Sequence, residues 1–220
     1  MRLLALLVSP LPLILAIPTT APSGSCAAVT VITARGSTEA QGEGIMGGLA
    51  GSIQSGSKQT VSRTAVVYPA TLNPYASSVA AGVKAMTAAV KDAVDKCPGQ
   101  KIVLLGYSQG AQCAGDTLGG GSAAAIDFNT YGSKVKAVIM YGDPRSSSSQ
   151  TAIHVGTCKG NSINPRSANQ ALTAYNGVTK SYCDSGDPFC CSGGDMSAHL
   201  GYFNKYNSAA LQFVLAQIGG

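Results

Sequence analysis

Ser108 stands in Gly106-Tyr107-Ser108-Gln109-Gly110, with glycines at the two positions where a sharp turn brings neighbouring chain too close for a Cβ. A serine hydroxyl attacks a carbonyl when a base takes its proton and an acid orients that base. The chain has two histidines. His199 follows an acidic loop and precedes the last helical segment, so the chain order is serine, acid, histidine. His154, in Thr151-Ala152-Ile153-His154-Val155, has the apolar setting of a structural histidine. For the acid, Asp184, Asp187 and Asp195 compete in the late loop, and Asp143 in Gly142-Asp143-Pro144 directly follows a strand. Asp187 is favoured, because a disulfide between the flanking Cys183 and Cys190 would hold a short carboxylate-bearing loop in one geometry. The other three suit capping or turn roles. An oxyanion needs two donors: the backbone N–H of Gln109, and a second from Arg35-Gly36-Ser37-Thr38, where Ser37 adds its hydroxyl. Ser37 as a plain turn serine stays open. Together these groups would perform acyl transfer through a covalent intermediate.

Such a constellation needs a rigid frame, and the pattern supplies one. Ala27–Ala34 (AAVTVITA) reads as a buried strand running into the Arg35–Glu39 loop, and Gly42–Gly56 as a glycine-rich helix with flanking loops. Ser62–Tyr68 reads as a second strand stopped by Pro69. Val79, Val83, Met86, Val90 and Val94 recur at helical spacing across Tyr75–Val94. Lys101–Leu105 (KIVLL) is a continuous apolar strand, and Ser108 lies where it turns into helix. Val135–Tyr141 and Val178–Tyr182 read as further strands, Tyr202–Ile218 as a C-terminal helix, and Ser146–Ser149 as an exposed loop. Strands alternating with helices predict an α/β fold, a mainly parallel sheet with helices on both faces. A five-residue motif arises by chance in a chain with 27 glycines; the strand before it and the helix after it give it weight.

Composition narrows the function classes. Arg2 followed by the apolar stretches 3–8 and 11–17 reads as a signal peptide over residues 1–17, with cleavage between 16 and 21. The stretch is too short and proline-broken for a membrane span. Residues 26–220 then form a single catalytic domain of an exported protein. The net charge of +5 falls to +4 without Arg2, and no basic run accompanies it, which argues against nucleic acid. Seven cysteines (Cys26, Cys97, Cys113, Cys158, Cys183, Cys190, Cys191) suit an oxidising compartment and leave at least one without a partner in the chain. Their connectivity is open on spacing alone, and no spacing reads as a metal site.

ARGSTE, the GYSQG elbow, GDP after a strand, and CDSGDPFCC followed by His199 together resemble the cutinase and acetylxylan esterase family of small secreted hydrolases. The resemblance covers nearly all of the mature chain. It implies a compact α/β-hydrolase fold without a large lid, a triad of Ser108, Asp187 and His199, and an oxyanion hole from Ser37 and Gln109. It also implies disulfides Cys26–Cys97 and Cys183–Cys190. The adjacent pair Cys190-Cys191 resembles the acetylxylan esterase branch, in which Cys191 would reach Cys158, leaving Cys113 as a buried free thiol. The expected partner is a polymeric ester, acetylated xylan or cutin, handled by a monomer without metal or cofactor, nucleic acid or membrane. Small and polar residues at 192–198 favour acetyl groups, whereas Met196 and Leu200 suit a longer acyl chain. A non-catalytic wall-binding protein is the third reading, and it has no need to keep Ser108, Asp187 and His199 together.

Overall fold

The computed structural model describes residues 26–219; the signal segment expected at 1–17 lies outside the described residues. Six strands form one parallel sheet in the order β2-β1-β3-β4-β6-β5. They are β1 (Val29–Ala34), β2 (Val61–Ala65), β3 (Lys101–Tyr107), β4 (Val135–Tyr141), β5 (His154–Val155) and β6 (Thr179–Tyr182). The helices are α1 (Gly47–Gly56), α2 (Tyr75–Lys96), α3 (Gln109–Gly119), α4 (Met196–Leu200) and α5 (Tyr202–Ile218).

The central strands are buried on both faces, so apolar residues dominate them instead of alternating with polar ones, yet their side chains still separate with a period of two. Val29 and Val31 of β1, Val103 and Leu105 of β3, and Ala137 and Ile139 of β4 join α1 and α5 in one core. Ile32, Ile102, Leu104, Val138 and Met140 join α2 and α3 in the other. Val79, Val83, Met86, Val90 and Val94 form the buried stripe of α2. Each such side chain contributes roughly 1.5–3 kcal/mol when fully removed from water.

The chain leaves β1 toward β2 and later returns to β3 on the opposite side of β1. This reversal leaves a crevice at the carboxyl ends of β1 and β3, where open parallel sheets bind their ligands. The loop bearing Ser37 leaves β1 there, and Ser108 follows β3.

Several element ends shift by one or two residues, and three features depart further from the sequence reading. β2 stops at Ala65 and Val66–Tyr68 continues as a loop, with the Tyr68 and Pro69 carbonyls turned toward Arg35. The two-residue β5 pairs with β6 inside a segment with no strand signal of its own. The Ser146–Ser149 run is half covered, against the exposed loop expected. Ser146 and Ser147 are buried, because the run folds back over Asp143 and receives the Ser162 N–H.

Disulfides join Cys26 to Cys97, Cys158 to Cys191 and Cys183 to Cys190. The first ties the chain before β1 to the end of α2, and the other two cross-brace the loop between β6 and α4. The sulfurs of Cys158, Cys183 and Cys191 converge, but all three are in disulfides and so offer no thiolate to a metal. Cys113 is a buried free thiol on α3, and burial raises its pKa far above the ordinary thiol value.

Candidate active site

The β3–α3 turn places Ser108 at φ 53° and ψ −117°, a backbone region that a side-chain-bearing residue seldom adopts. The flanking glycines make the turn sterically possible. A Cβ on Gly106 would strike the Gly110 carbonyl, and one on Gly110 would strike the carbonyls of Ala34 and Arg35. The elbow is therefore pressed against the end of β1, and the Ser108 N–H is anchored by the Tyr141 carbonyl at 2.8 Å.

Opposite the elbow, the short helix α4 carries His199, whose Nε2 lies 3.0 Å from Ser108 Oγ. Its Nδ1 lies 2.8 Å from Asp187 Oδ2. With the proton on Nδ1, the ring donates to Asp187 and accepts from the serine. The ring is held by Tyr107 at 5.2 Å and Phe189 at 4.6 Å between centroids. Gly142 lies so close beneath it that a Cβ there would come within 2.7 Å of His199 Cε1.

Asp187 is fully buried and has four donors. Its Oδ1 accepts from the Phe189 and Cys190 N–H groups, and its Oδ2 from His199 and the Tyr202 hydroxyl at 2.7 Å. Burial pushes the carboxyl upward, but the His199, Tyr202 and Cys190 bonds together outweigh it and hold the pKa below the ordinary aspartate value. Tyr202 was not singled out in the sequence. Its position three residues after His199, at the start of the last helix, was the available signal.

The competing residues have other partners. Asp195 caps α4 by accepting from Ser197. Asp184 binds Thr157, Lys205 and Tyr206. Asp143 is buried against Arg166, which also reaches Asp116. His154 sits on the edge strand β5, away from the crevice, and desolvation lowers its pKa.

The Ser37 loop is clamped from both sides. Glu39 accepts from the Gly36 and Ile45 N–H groups at 2.6 and 2.7 Å, and Arg35 donates to the Glu39 and Tyr68 carbonyls. The Gln109 side chain donates to Ser37 Oγ at 3.1 Å and to the Thr71 carbonyl, and accepts from Ser78. Ser37 Oγ is thereby fixed as an acceptor while its own O–H stays free to donate. The Ser37 and Gln109 backbone N–H groups have no protein acceptor among the described residues.

These groups open into a cavity of about 460 Å³. Its lining is more apolar than the small and polar residues at 192–198 suggest, and it includes the Met196 and Leu200 that suited a longer acyl chain. Leu72, Pro144, Ile163, Phe189, Met196 and Leu200 supply an apolar wall. Leu72, Ile163, Met196 and Leu200 are 62, 59, 49 and 60% exposed and form its rim. Of the stretch 192–198 only Met196 faces the cavity; Leu200 joins it from the end of α4, and Leu72, Pro144, Ile163 and Phe189 come from loops far apart in sequence.

The cutinase family model matches residues 25–218. An acetylxylan esterase of Hypocrea jecorina is 36% identical over 208 residues, spanning 88% of this chain and 68% of its own length. An acetylxylan esterase 2 of Talaromyces purpureogenus is 34% identical over 210 residues, spanning 89% and 88%. A solved acetylxylan esterase structure superposes with a TM-score of 0.80 at 34% identity, covering 89% of this chain and all of the other. A serine, histidine and aspartate in line at the carboxyl edge of a parallel sheet, with these relatives, place the chain in the cutinase family of carboxylic ester hydrolases.

Proposed function

We propose that the protein is a secreted serine esterase that removes acetyl groups from acetylated xylan, with Ser108 as nucleophile, His199 as base and Asp187 as orienting acid. The single observation that carries the chemistry is the unbroken Ser108–His199–Asp187 chain of contacts, 3.0 and 2.8 Å. The Ser108 proton passes to His199 Nε2 as Oγ bonds to the ester carbonyl carbon. The carbonyl oxygen becomes an oxyanion held by the Gln109 and Ser37 donors. Its collapse breaks the bond to the alcohol oxygen, which takes the proton from His199 and leaves. Water then attacks the acyl-serine by the same route, releasing the acid and restoring the Ser108 hydroxyl. Asp187 stays ionised throughout and stabilises the imidazolium.

The relatives named above support acetylated xylan as the substrate. Residues 1–17 as an export signal, the single domain over 26–220 and a monomer working outside the cell complete the reading. Three disulfides suit that compartment. The apolar rim favours a second substrate class, longer acyl esters such as those of cutin.

The mature enzyme is expected to hydrolyse p-nitrophenyl acetate and to release acetate from acetylated xylan. An acyl-chain series separates the two substrates. An optimum at acetate supports xylan deacetylation, and an optimum at butyrate or longer with release of hydroxy fatty acids from cutin replaces it.

A further inference from the structure

A second cavity, about 310 Å³, lies beside the catalytic one and shares a wall with it. Tyr75, at the start of α2, lines both. Two further stretches of chain cross from one to the other, Pro144 to Arg145 and Ile163 to Asn164. On α3 the groove takes Gln112 and Asp116, one and two turns beyond Ser108, or about 6 and 12 Å along the axis. It therefore descends from the catalytic edge down the side of the molecule.

Its chemistry differs from that of the catalytic cavity. Tyr75 Oη donates to Gln112 Oε1 at 2.9 Å, and Gln112 Nε2 donates to Asp116 Oδ2 at 3.3 Å. Arg145 spans Asp116 and the Gln170 amide. Arg145 and Arg166 balance Asp116 and Asp143, so the floor has no net charge to attract an ion. A Cβ on Gly121 would press into Asp116 and Arg145, so bare backbone at this point leaves the floor uncovered. At the mouth, the Asn164 backbone is paired with Pro144, Ser162 and Arg145, but its side-chain amide and the Ser122 hydroxyl have no protein partner among the described residues. A wall aromatic, a neutral hydrogen-bonding floor and free amide and hydroxyl groups at the rim match a neutral chain rich in hydroxyls. They do not match an acyl chain, which would leave these groups unpaired.

We infer that this groove holds the sugar chain flanking the reacting ester, so that the polysaccharide lies over Tyr75 with its acetyl group in the apolar cavity. The inference rests on the proposed action on acetylated xylan. It assigns the two substrate properties to different cavities: the apolar wall meets the acyl methyl and the polar groove meets the carrier.

The test pairs Asn164→Ala and Ser122→Leu, both exposed and outside the catalytic cavity. The double variant is expected to raise KM for acetylated xylan by about 5- to 10-fold with kcat unchanged, and to leave p-nitrophenyl acetate hydrolysis within about two-fold. Xylohexaose binding to Ser108→Ala, followed by titration calorimetry, is expected to weaken by a similar factor when the two changes are added. Wild-type enzyme that cleaves p-nitrophenyl acetate but releases nothing from acetylated xylan overturns the proposed substrate; the calorimetry still decides the groove. Wild-type enzyme active on acetylated xylan, with the double variant equal to it in KM and in binding, overturns the groove alone.

Discussion

The proposed nucleophile and the proposed acid–base pair meet within 3.0 Å, but opposite kinds of structure hold them there. Ser108 is placed by backbone: a strained φ of 53°, two glycines without room for a Cβ, and an N–H anchored on β4. Asp187 and His199 are placed by side chains and cross-links. Disulfides at Cys183–Cys190 and Cys158–Cys191 brace the loop, four donors hold the carboxylate, and Tyr107 and Phe189 hold the ring. The first half tolerates no added volume, and the second depends on bonds that reductant or acid can remove.

This contrast sets an order of vulnerability. Gly110→Val drives side-chain atoms into the Ala34 carbonyl and shifts the elbow. p-Nitrophenyl acetate hydrolysis should fall at least about 100-fold, the effect of roughly 1 Å of misplacement. Wild-type activity in that variant would mean that the elbow is not held by steric exclusion.

Removing the seven-residue cross-link with Cys183→Ala and Cys190→Ala acts on the other half. Closure entropy for a loop of this length predicts a loss of about 2–3 kcal/mol, read as a lower midpoint in chemical denaturation, with reduced activity. An unchanged midpoint and rate would assign no role to the brace.

Tyr202→Phe is a finer probe, since it removes one donor from Asp187 and nothing from the elbow. It should cost about 1.5–3 kcal/mol of stability and lower kcat about 10-fold. The folded Asp187 pKa is depressed, so its contribution to stability is complete above the ordinary aspartate value of about 3.9 and is lost as pH falls through the folded value. Removing the Tyr202 donor raises that folded value, so the variant should lose stability at a higher pH than wild type. Coincident acid limbs would count against the assignment. The smallest effect belongs to His154→Ala, expected within about two-fold of wild-type activity because β5 lies off the crevice.

The same contrast explains what could be read in the sequence. The elbow and its strands are local features. KIVLL, VKAVIMY and the GxSxG spacing each state their structure within a few residues, and the bounds of β4 and α5 match their patterns. Asp187 was singled out by its flanking cysteines and His199 by its place in the chain. Non-local features were not legible. α4 is one five-residue turn starting at the Asp195 cap, too short for a periodic signal. β5 is two residues that become strand only because Ser181 and Tyr182 lie beside them. Met196 and Leu200 were legible as apolar neighbours of His199, but Leu72, Pro144, Ile163 and Phe189 complete the apolar wall from separate segments that no single window of sequence contains. Tyr202 reads as an ordinary buried helix residue until its hydroxyl is seen on Asp187.

The central claim is that Ser108 forms the covalent intermediate and that His199 activates it. Treatment with a p-nitrophenyl dialkyl phosphate measures this directly, because Ser108 Oγ would bond to phosphorus and expel p-nitrophenolate without a second, hydrolytic step. Peptide mass spectrometry should find one adduct per chain, on Ser108, formed in step with loss of activity and much slower in His199→Ala. An adduct on another residue, or full esterase activity in an enzyme fully modified at Ser108, would contradict the account.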